Sequence, residues 1–472
     1  MAIDYDLVIA GGTVQGRRAA ALAAREGARV ALVEPPGRVD RDLAVSLGLE
    51  RLARWRGQGG NDGWAVDPSA PGPDWAALQA QIQAATALAS ASLSLASLAT
   101  MGVDTIAARG QFEIRPRLAL TTADRRLRAR GYVLCPPTCP TVPTIPGLAQ
   151  TPYRTLEDFP HGETLPDQAI ILGRSPLAIA LAQALARLGR SVTLLSRGDQ
   201  LLPHEDSDLS LLGEQLLRAS GVTVRLGQRP TAITYDGQFR VTLEDGTTLH
   251  SAQVILGTAP QPEVENLNLA ALGVRPGVAG LAVDDRLRTA HPRVLACGPA
   301  LGGYWAKATD FQDVPIAVRN ALYLPHRQHR AFHRACLLPT VPALGRVGLT
   351  ASQAQRWFGS EAAVIQVSLG DTLAAHLAGD TTGLCRWVVH RDGRLLGAHI
   401  WGACAQDLIP TVAGMMQNDW RIQHWERLPT LPHSHAHLFD QMLAAWQRQR
   451  WQPGTWRRDW AENWCNWRRS RG

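Results

Sequence analysis

The hydrophobic pattern divides the chain into two similar units and a dissimilar third. Leu7-Val-Ile-Ala10 is a short, wholly apolar run, followed by the glycine-rich stretch Gly11-Gly-Thr-Val-Gln-Gly16 and the alanine-rich segment Arg17–Glu26. A continuous apolar run bounded by glycine predicts a strand buried on both faces, and the segment behind it predicts a helix. Gly27 ends that helix, and Ala28-Arg-Val-Ala-Leu-Val-Glu34 predicts a second strand closing on an acid. The order returns about 160 residues later. Ala169-Ile-Ile-Leu-Gly173 leads into the turn Gly173–Ala178, a helix to about Leu188, Gly189, and the strand Ser191–Leu195. Two such units are too few and too far apart for a solenoid. Between them, residues 57–73 read as a loop and Asp74 as the cap of a long helix, Trp75–Met101, whose stretch Ala84–Ala99 reads as packed. Short strands follow through Leu118–Thr121, then a buried strand at Tyr132-Val-Leu134. Pro136, Pro137, Pro140, Pro143 and Pro146 then predict a stiff crossover between domains. Val294–Gly298 is another short buried strand. Beyond Leu324-Pro325 the pattern changes to strands at Val364–Val367 and Arg386–Val389, a turn at Asp392-Gly393 and a helix over Ala405–Gln417, an α+β domain of about 330–445.

Each strand–turn–helix unit carries chemistry. In the first, Gly11 permits a tight turn, Gly12, Thr13 and Gly16 continue it, and the helix N-terminus offers free N–H groups to a pyrophosphate. Glu34, about 20 residues on, stands where a carboxylate binds ribose hydroxyls. Thr13 replaces the middle glycine; the competing reading is a βαβ unit without a nucleotide. In the second, Gly173 opens the turn, Ser175 takes the middle position, and the strand ends at Ser196-Arg197 instead of an acid. An arginine there suits a 2′-phosphate, which favours NADPH over NADH.

Composition narrows the class. Across 472 residues, 45% hydrophobic and 19% charged residues describe a globular chain and exclude a disordered one. No run of about 20 consecutive apolar residues stands out as a spanning helix, and the chain enters a strand within a few residues of Met1, so no secretion signal is expected. The net charge is +7, and Lys307 is the one lysine among 48 basic residues. The arginines are dispersed except at the C-terminus, so no nucleic-acid face is expected. Seven cysteines, sparse and odd in number, fit a reducing cytoplasm. Cys135 and Cys139 are held apart by Pro136 and Pro137; in extended chain they exceed the roughly 7 Å disulfide limit. Cys297 and Cys404 read as core, and Cys465 has no local partner.

Taken together, these units resemble the pyridine nucleotide–disulfide oxidoreductases, the flavoprotein family of dihydrolipoamide dehydrogenase and mercuric reductase. The resemblance covers about residues 1–445 and rests on both βαβ units and on several local matches. These are the Gly102-Val-Asp-Thr-Ile stretch, Val294–Gly298 with the helix Ala317–Leu322, Val347-Gly-Leu-Thr350, and Leu396-Gly-Ala-His-Ile-Trp-Gly402. It implies an α/β fold of glutathione-reductase type: two Rossmann-like dinucleotide-binding domains plus a C-terminal α+β dimerisation domain. The expected divisions are 1–150 with 284–325 for FAD, 151–283 for NADPH or NADH, 326–450 for the homodimer interface, and 451–472 as a tail.

Departures from the family pattern shape the expected chemistry. Its CxxxxC redox disulfide would fall at Val45 and Glu50, and no cysteine precedes Cys135. A thiolate is the nucleophile of disulfide exchange, and neither valine nor glutamate replaces it. The loop that usually reads Ala-Thr-Gly is Cys135-Pro136-Pro137, the aspartate after Gly298 is Pro299, and the glutamate of the second helix is Ala180. One catalytic element survives: His435-Ala-His-Leu-Phe-Asp440 resembles the family's His-Pro-Thr-x-x-Glu, with Asp440 for the glutamate. There the histidine serves the flavin of the other subunit, and an acid–histidine pair suits proton transfer. The expected function is an FAD-dependent oxidoreductase delivering electrons to a non-disulfide acceptor such as a quinone. The alternative is a non-catalytic flavoprotein or scaffold.

Two histidine groups and the tail complete the expectations. His433, His435 and His437 alternate, which in extended chain shares one face and invites a metal, family-like placement or a solvated loop. His326, His329 and His333 read as a polar helix face. Trp456, Trp460, Trp464 and Trp467 fall on one side of a helix, with five arginines around them. The stripe packs on its own domain or dimer partner, docks another protein, or lies at a membrane surface. The last would make a cytoplasmic protein peripheral to a membrane.

Overall fold

The structure is a computed structural model and describes residues 3–35, 39–54, 74–162, 164–277, 280–305, 311–428, 430–451 and 456–471. The expected 57–73 loop lies outside them. The chain forms two compact units, residues 1–331 with 338–340, and residues 332–337 with 341–472.

In the first unit, β1 (Tyr5–Ala10), α1 (Val14–Arg25) and β2 (Val30–Glu34) form a βαβ turn. Next come α2 (Val39–Arg54), α3 (Trp75–Ala91), α4 (Leu95–Thr100) and β3 (Asp104–Ala107). A small antiparallel sheet of β4 (Gln111–Glu113), β5 (Ala119–Thr121) and β6 (Arg126–Leu127) precedes β7 (Ala129–Leu134). Leu7, Val8 and Ile9 are fully buried, which explains the apolar run; each buried side chain of this size contributes about 1.5–3 kcal/mol.

The proline-rich segment carries β8 (Thr138–Pro140), leading to β9 (Arg154–Thr155) and β10 (Gln168–Leu172). A second nucleotide-type layer follows: α5 (Pro176–Arg187), β11 (Ser191–Leu195), α6 (Ser207–Ala219) and β12 (Val222–Arg225). A ribbon of β13 (Pro230–Tyr235), β14 (Phe239–Leu243) and β15 (Thr248–Ser251) leads to β16 (Gln253–Leu256). The parallel sheet runs β12-β11-β10-β16-β9. On the way back, β17 (Pro260–Pro262) pairs antiparallel with β8, so the incoming and outgoing chains brace each other. The short β18 (Pro276–Gly277) and β19 (Gly280–Leu281) precede β20 (Val294–Ala296) and α7 (Asp313–Leu322). β20 pairs with β7 and completes the first sheet as β20-β7-β1-β2-β3. The second layer is thus an insertion in the first.

The second unit holds β21 (Cys336–Leu338), β22 (Leu344–Gly348), α8 (Ala351–Phe358), β23 (Ala362–Ser368), α9 (Leu373–Ala378), β24 (Leu384–His390) and β25 (Leu395–Trp401). These strands make one sheet, β21-β22-β25-β24-β23. It is covered by α10 (Ala405–Gln417) and α11 (His437–Arg450) and followed by α12 (Trp456–Arg469). Trp387, Trp425 and Phe439 interlock in its core, with ring centroids 4.7 and 5.1 Å apart.

Three expectations change. The long helix breaks at Ser92–Ser94, where Ser94 Oγ caps α4 by accepting the Ser97 N–H at 3.1 Å. Within Ala84–Ala99 packing is one-sided: Thr86 and Leu98 are buried, as are Leu78 and Ile82 earlier on α3, while most of the other side chains of α3 are exposed. Trp75–Thr100 is long and apolar enough to cross a membrane by length and composition, although Gln and Ser interrupt its apolar run. Its base is tied down, since Trp75 Nε1 and Gln79 Nε2 both donate to the Gly162 carbonyl at 2.8 and 2.7 Å. Finally, α7 ends at Leu322, so His326 and His329 lie in irregular chain, not on a helix face.

Candidate functional site

Gly11 has φ of +116°, and a Cβ there would overlap the Cys135 carbonyl oxygen. Gly16 touches the Gly11 carbonyl in the same way, so both positions require glycine. Thr13 does not need to be one. At φ −63° and ψ 165° it is the N-cap of α1. Its Oγ1 accepts the Gly16 N–H and donates to the Cys135 carbonyl, each at 3.2 Å. Gly12 faces Glu34: a Cβ on it would strike the carboxylate. Glu34 is 3% exposed and paired with Arg17, Nη2–Oε1 at 2.8 Å and Nε–Oε2 at 3.1 Å. A carboxylate has about four acceptor positions, so two remain for ribose hydroxyls. The spacing pattern missed Arg17, because nothing local couples residue 17 to residue 34.

The glycine after β20 is Gly298, with φ of +70°. Pro299 follows where an aspartate would stand, yet a carboxylate is present: Asp313, at the start of α7, accepts the Gly298 N–H at 2.6 Å. A separation of fifteen residues hid it from the sequence. A cavity of about 80 Å³ beside Gly11 is lined by Pro35, Arg109, Pro136, Pro137 and Glu263. The glycine-rich turn, the helix N-terminus and the ribose-side acid fit FAD.

The second turn repeats the device. Gly173 has φ of +119°, and a Cβ would overlap the Gly257 carbonyl. Ser175, like Thr13, is an N-cap residue at φ −60° and ψ 154°, followed by Pro176 at the first helical position. Its Oγ is buried without a hydrogen-bond partner among the described residues. A cleft of about 860 Å³ opens here, lined by Arg174, Ser175, Ser196, Arg197, His204, Arg229 and Tyr304. Arg229 was not anticipated; it enters from β12–β13, far from the fingerprint. Tyr304 closes one wall, donating to the Arg174 carbonyl at 2.8 Å and packing on His204 at 5.0 Å. Burial pushes its phenol far up, so it stays a neutral donor. These groups fit a nicotinamide dinucleotide.

Of the two positions where the family's dithiol would fall, Val45 is 3% exposed in the core of α2 and Glu50 is a half-buried carboxylate; neither carries sulfur. Cys139 is exposed, while Cys135 is buried beside Cys297.

In the second unit the expected His435–Asp440 pair does not form. Asp440 accepts from Trp425 Nε1 at 2.7 Å, Thr430 Oγ1 at 2.5 Å and His437 Nδ1 at 2.9 Å. The reason is helical: α11 starts at His437, placing it three residues from Asp440 on the same face. That start also ends the alternating geometry of the three histidines, and no metal-type cluster occurs among the described residues. In the tail, Trp456, Trp460, Trp464 and Trp467 are 72, 60, 47 and 45% exposed. Trp460 stacks on Trp464, and Trp464 on Trp467. The stripe is therefore left partly exposed within its own unit.

A sequence profile described as pyridine nucleotide-disulphide oxidoreductase matches residues 5–321, and the dimerisation domain of that group matches 336–435. The chain belongs to the pyridine nucleotide–disulphide oxidoreductase family. Members of this family are flavin-dependent oxidoreductases that use FAD and NAD(P)H, and the dimerisation domain supports a homodimer. Among relatives, a Staphylococcus aureus mercuric reductase is 26% identical over 86% of this chain and 76% of its own. A dihydrolipoyl dehydrogenase from Synechocystis is 26% identical over 94% and 98%. The chain spans 52% of an Acidithiobacillus ferrooxidans mercuric reductase and 60% of a Streptomyces lividans one, at 30% identity to each. The fold matches the HOCl-induced flavoprotein disulfide reductase RclA of Escherichia coli, solved as a Cu(II) complex, with TM-score 0.77 and 21% identity over 94% and 99% of the chains. It also matches LpdA of Mycobacterium tuberculosis, with TM-score 0.78 and 22% identity over the same shares.

Proposed function

We propose that this protein is an FAD-dependent oxidoreductase that takes electrons from NADPH and delivers them to an acceptor other than a disulfide. The residues at the dithiol positions carry the reading: they are Val45 and Glu50, and neither side chain can form a bond to sulfur. Gly11, Gly12, Thr13, Gly16, Glu34 and Gly298 hold FAD in this reading, and Gly173, Ser175 and Arg197 hold the nucleotide. When bound, FAD supplies the two-electron carrier. Arg229 joins Arg197 on the 2′-phosphate, and each such charge-assisted contact contributes about 1.5–3 kcal/mol. His437, oriented by Asp440, takes the proton-donating role first assigned to His435. A quinone fits the role of acceptor because it needs a hydride and a proton but no thiol.

The test is the flavin spectrum of the purified protein under anaerobic NADPH. Bands that bleach within seconds support the reading; bands that persist sink it. A second reading is favoured by α12: an exposed aromatic stripe has the form of a docking element, and a flavin that NADPH does not reduce would leave the protein a scaffold.

A further inference from the structure

Beneath the first glycine turn lies a pair of thiols that no part of the proposed electron path uses. Cys135 follows β7 and Cys297 follows β20. The two strands pair in parallel, with Ala296 opposite Leu134, so Cys297 and Cys135 occupy the next register position. Adjacent strands run about 4.8 Å apart, inside the roughly 4.4–6.8 Å Cα separation that a disulfide spans. Both side chains are fully buried, and the sulfurs are 3.2 Å apart. Closing the bond needs an approach of only about 1 Å, to the S–S length of about 2.0 Å. The pair touches the dinucleotide turn directly: the Cys135 carbonyl accepts from Thr13 Oγ1, and Cys297 precedes Gly298.

We propose that Cys135 and Cys297 form an oxidisable dithiol that closes to an intrachain disulfide in response to a small neutral peroxide. One thiol gives up its proton as its sulfur attacks a peroxide oxygen; the O–O bond breaks, the sulfur becomes a sulfenic acid, and the departing hydroxide takes that proton and leaves as water. The second thiol attacks that sulfur and expels a second water. The two thiols lose two electrons and two protons, and the peroxide takes them up. The site is distinct from the CxxxxC position in α2 and does not depend on the identity of the electron acceptor. A small uncharged oxidant is required because neither sulfur is exposed.

The test uses the full-length protein treated with hydrogen peroxide, then denatured with excess alkylating reagent and mapped by mass spectrometry. The expected result is a linked peptide containing Cys135 and Cys297, loss of alkylation at both of those positions relative to the reduced control, and its restoration there by dithiothreitol. Cys135→Ser and, separately, Cys297→Ser abolish that peptide. Because mapping of the wild-type protein decides the matter, misfolding of a variant leaves the test intact. Recovery of Cys135 and Cys297 as separately alkylated peptides, after exposed Cys139 and Cys465 are fully oxidised, overturns the proposal. Sulfinic acid at either position without a link also overturns it.

Discussion

At the scale of single residues, the buried Arg17–Glu34 pair is the most consequential contact of the first turn. Its side chains are 11 and 4% exposed. Removing one partner of a buried pair strands the other charge and costs about 3–5 kcal/mol, whereas replacing both is often neutral. Arg17→Met should therefore lower the melting temperature strongly, and Arg17→Met with Glu34→Leu should recover most of it. Equal melting of the single and double variants would show that the pair is not coupled. Asp104 offers a pH test. Its carboxyl is held below the usual range, foremost by the Arg125 hydrogen bond and also by Tyr5, against the opposing effect of burial. A lowered folded pKa stabilises above about pH 4 and the contribution drains as pH falls through the folded value. The pair is partly exposed, so Asp104→Asn should cost about 0.2–1 kcal/mol at pH 7. Denaturant melts at pH 7 and pH 3 should show that difference closing; a constant gap would refute the linkage. Glu34 was legible from spacing alone because the strand end fixes where it points. Arg17 and Asp313 were not, since their partners are assigned by packing, and His437 displaced His435 because the start of a helix decides which residue faces Asp440.

At the scale of elements, the strands and helices of both nucleotide units were legible because burial on both faces and glycine at positive φ leave direct marks in sequence. The long helix after Asp74 was less so. Ser92–Ser94 breaks it because a serine side chain competes for the backbone N–H groups of the next turn. Its apolar composition suggested a packed helix, yet α3 is largely exposed within its unit, so composition did not report burial. The tail shows the same divergence: the aromatic period predicted α12, while the structure leaves its stripe exposed. Deleting residues 452–472 should change the melting temperature little, because exposed side chains away from packed features contribute within about 0.5 kcal/mol. The same deletion should abolish cosedimentation with anionic lipid vesicles, since Trp and clustered Arg favour that interface. Full-length protein that fails to cosediment would return the stripe to a protein partner.

For the whole molecule, the inserted second layer and the dimerisation domain set the expected behaviour. Light scattering should return the mass of two chains, and a monomer would leave the dimerisation domain without its role. Replacing Arg197 and Arg229 by alanine should raise the KM for NADPH by about 10–100-fold per arginine and leave that for NADH nearly unchanged, from the strength of charged hydrogen bonds. Parallel loss with both nucleotides would place the arginines elsewhere. The sequence by itself determined the two βαβ units, the acid at Glu34, the absence of thiols before Cys135 and the helical tail, because each depends on neighbours within a few residues or on residue type alone. Only the tertiary structure decided that Arg17 holds Glu34, that Asp313 stands in near Gly298, that Arg229 shares a cleft with Arg197, and that Cys135 meets Cys297. Those contacts join residues up to 162 positions apart, and their proximity is set by strand order and register, which local pattern does not encode.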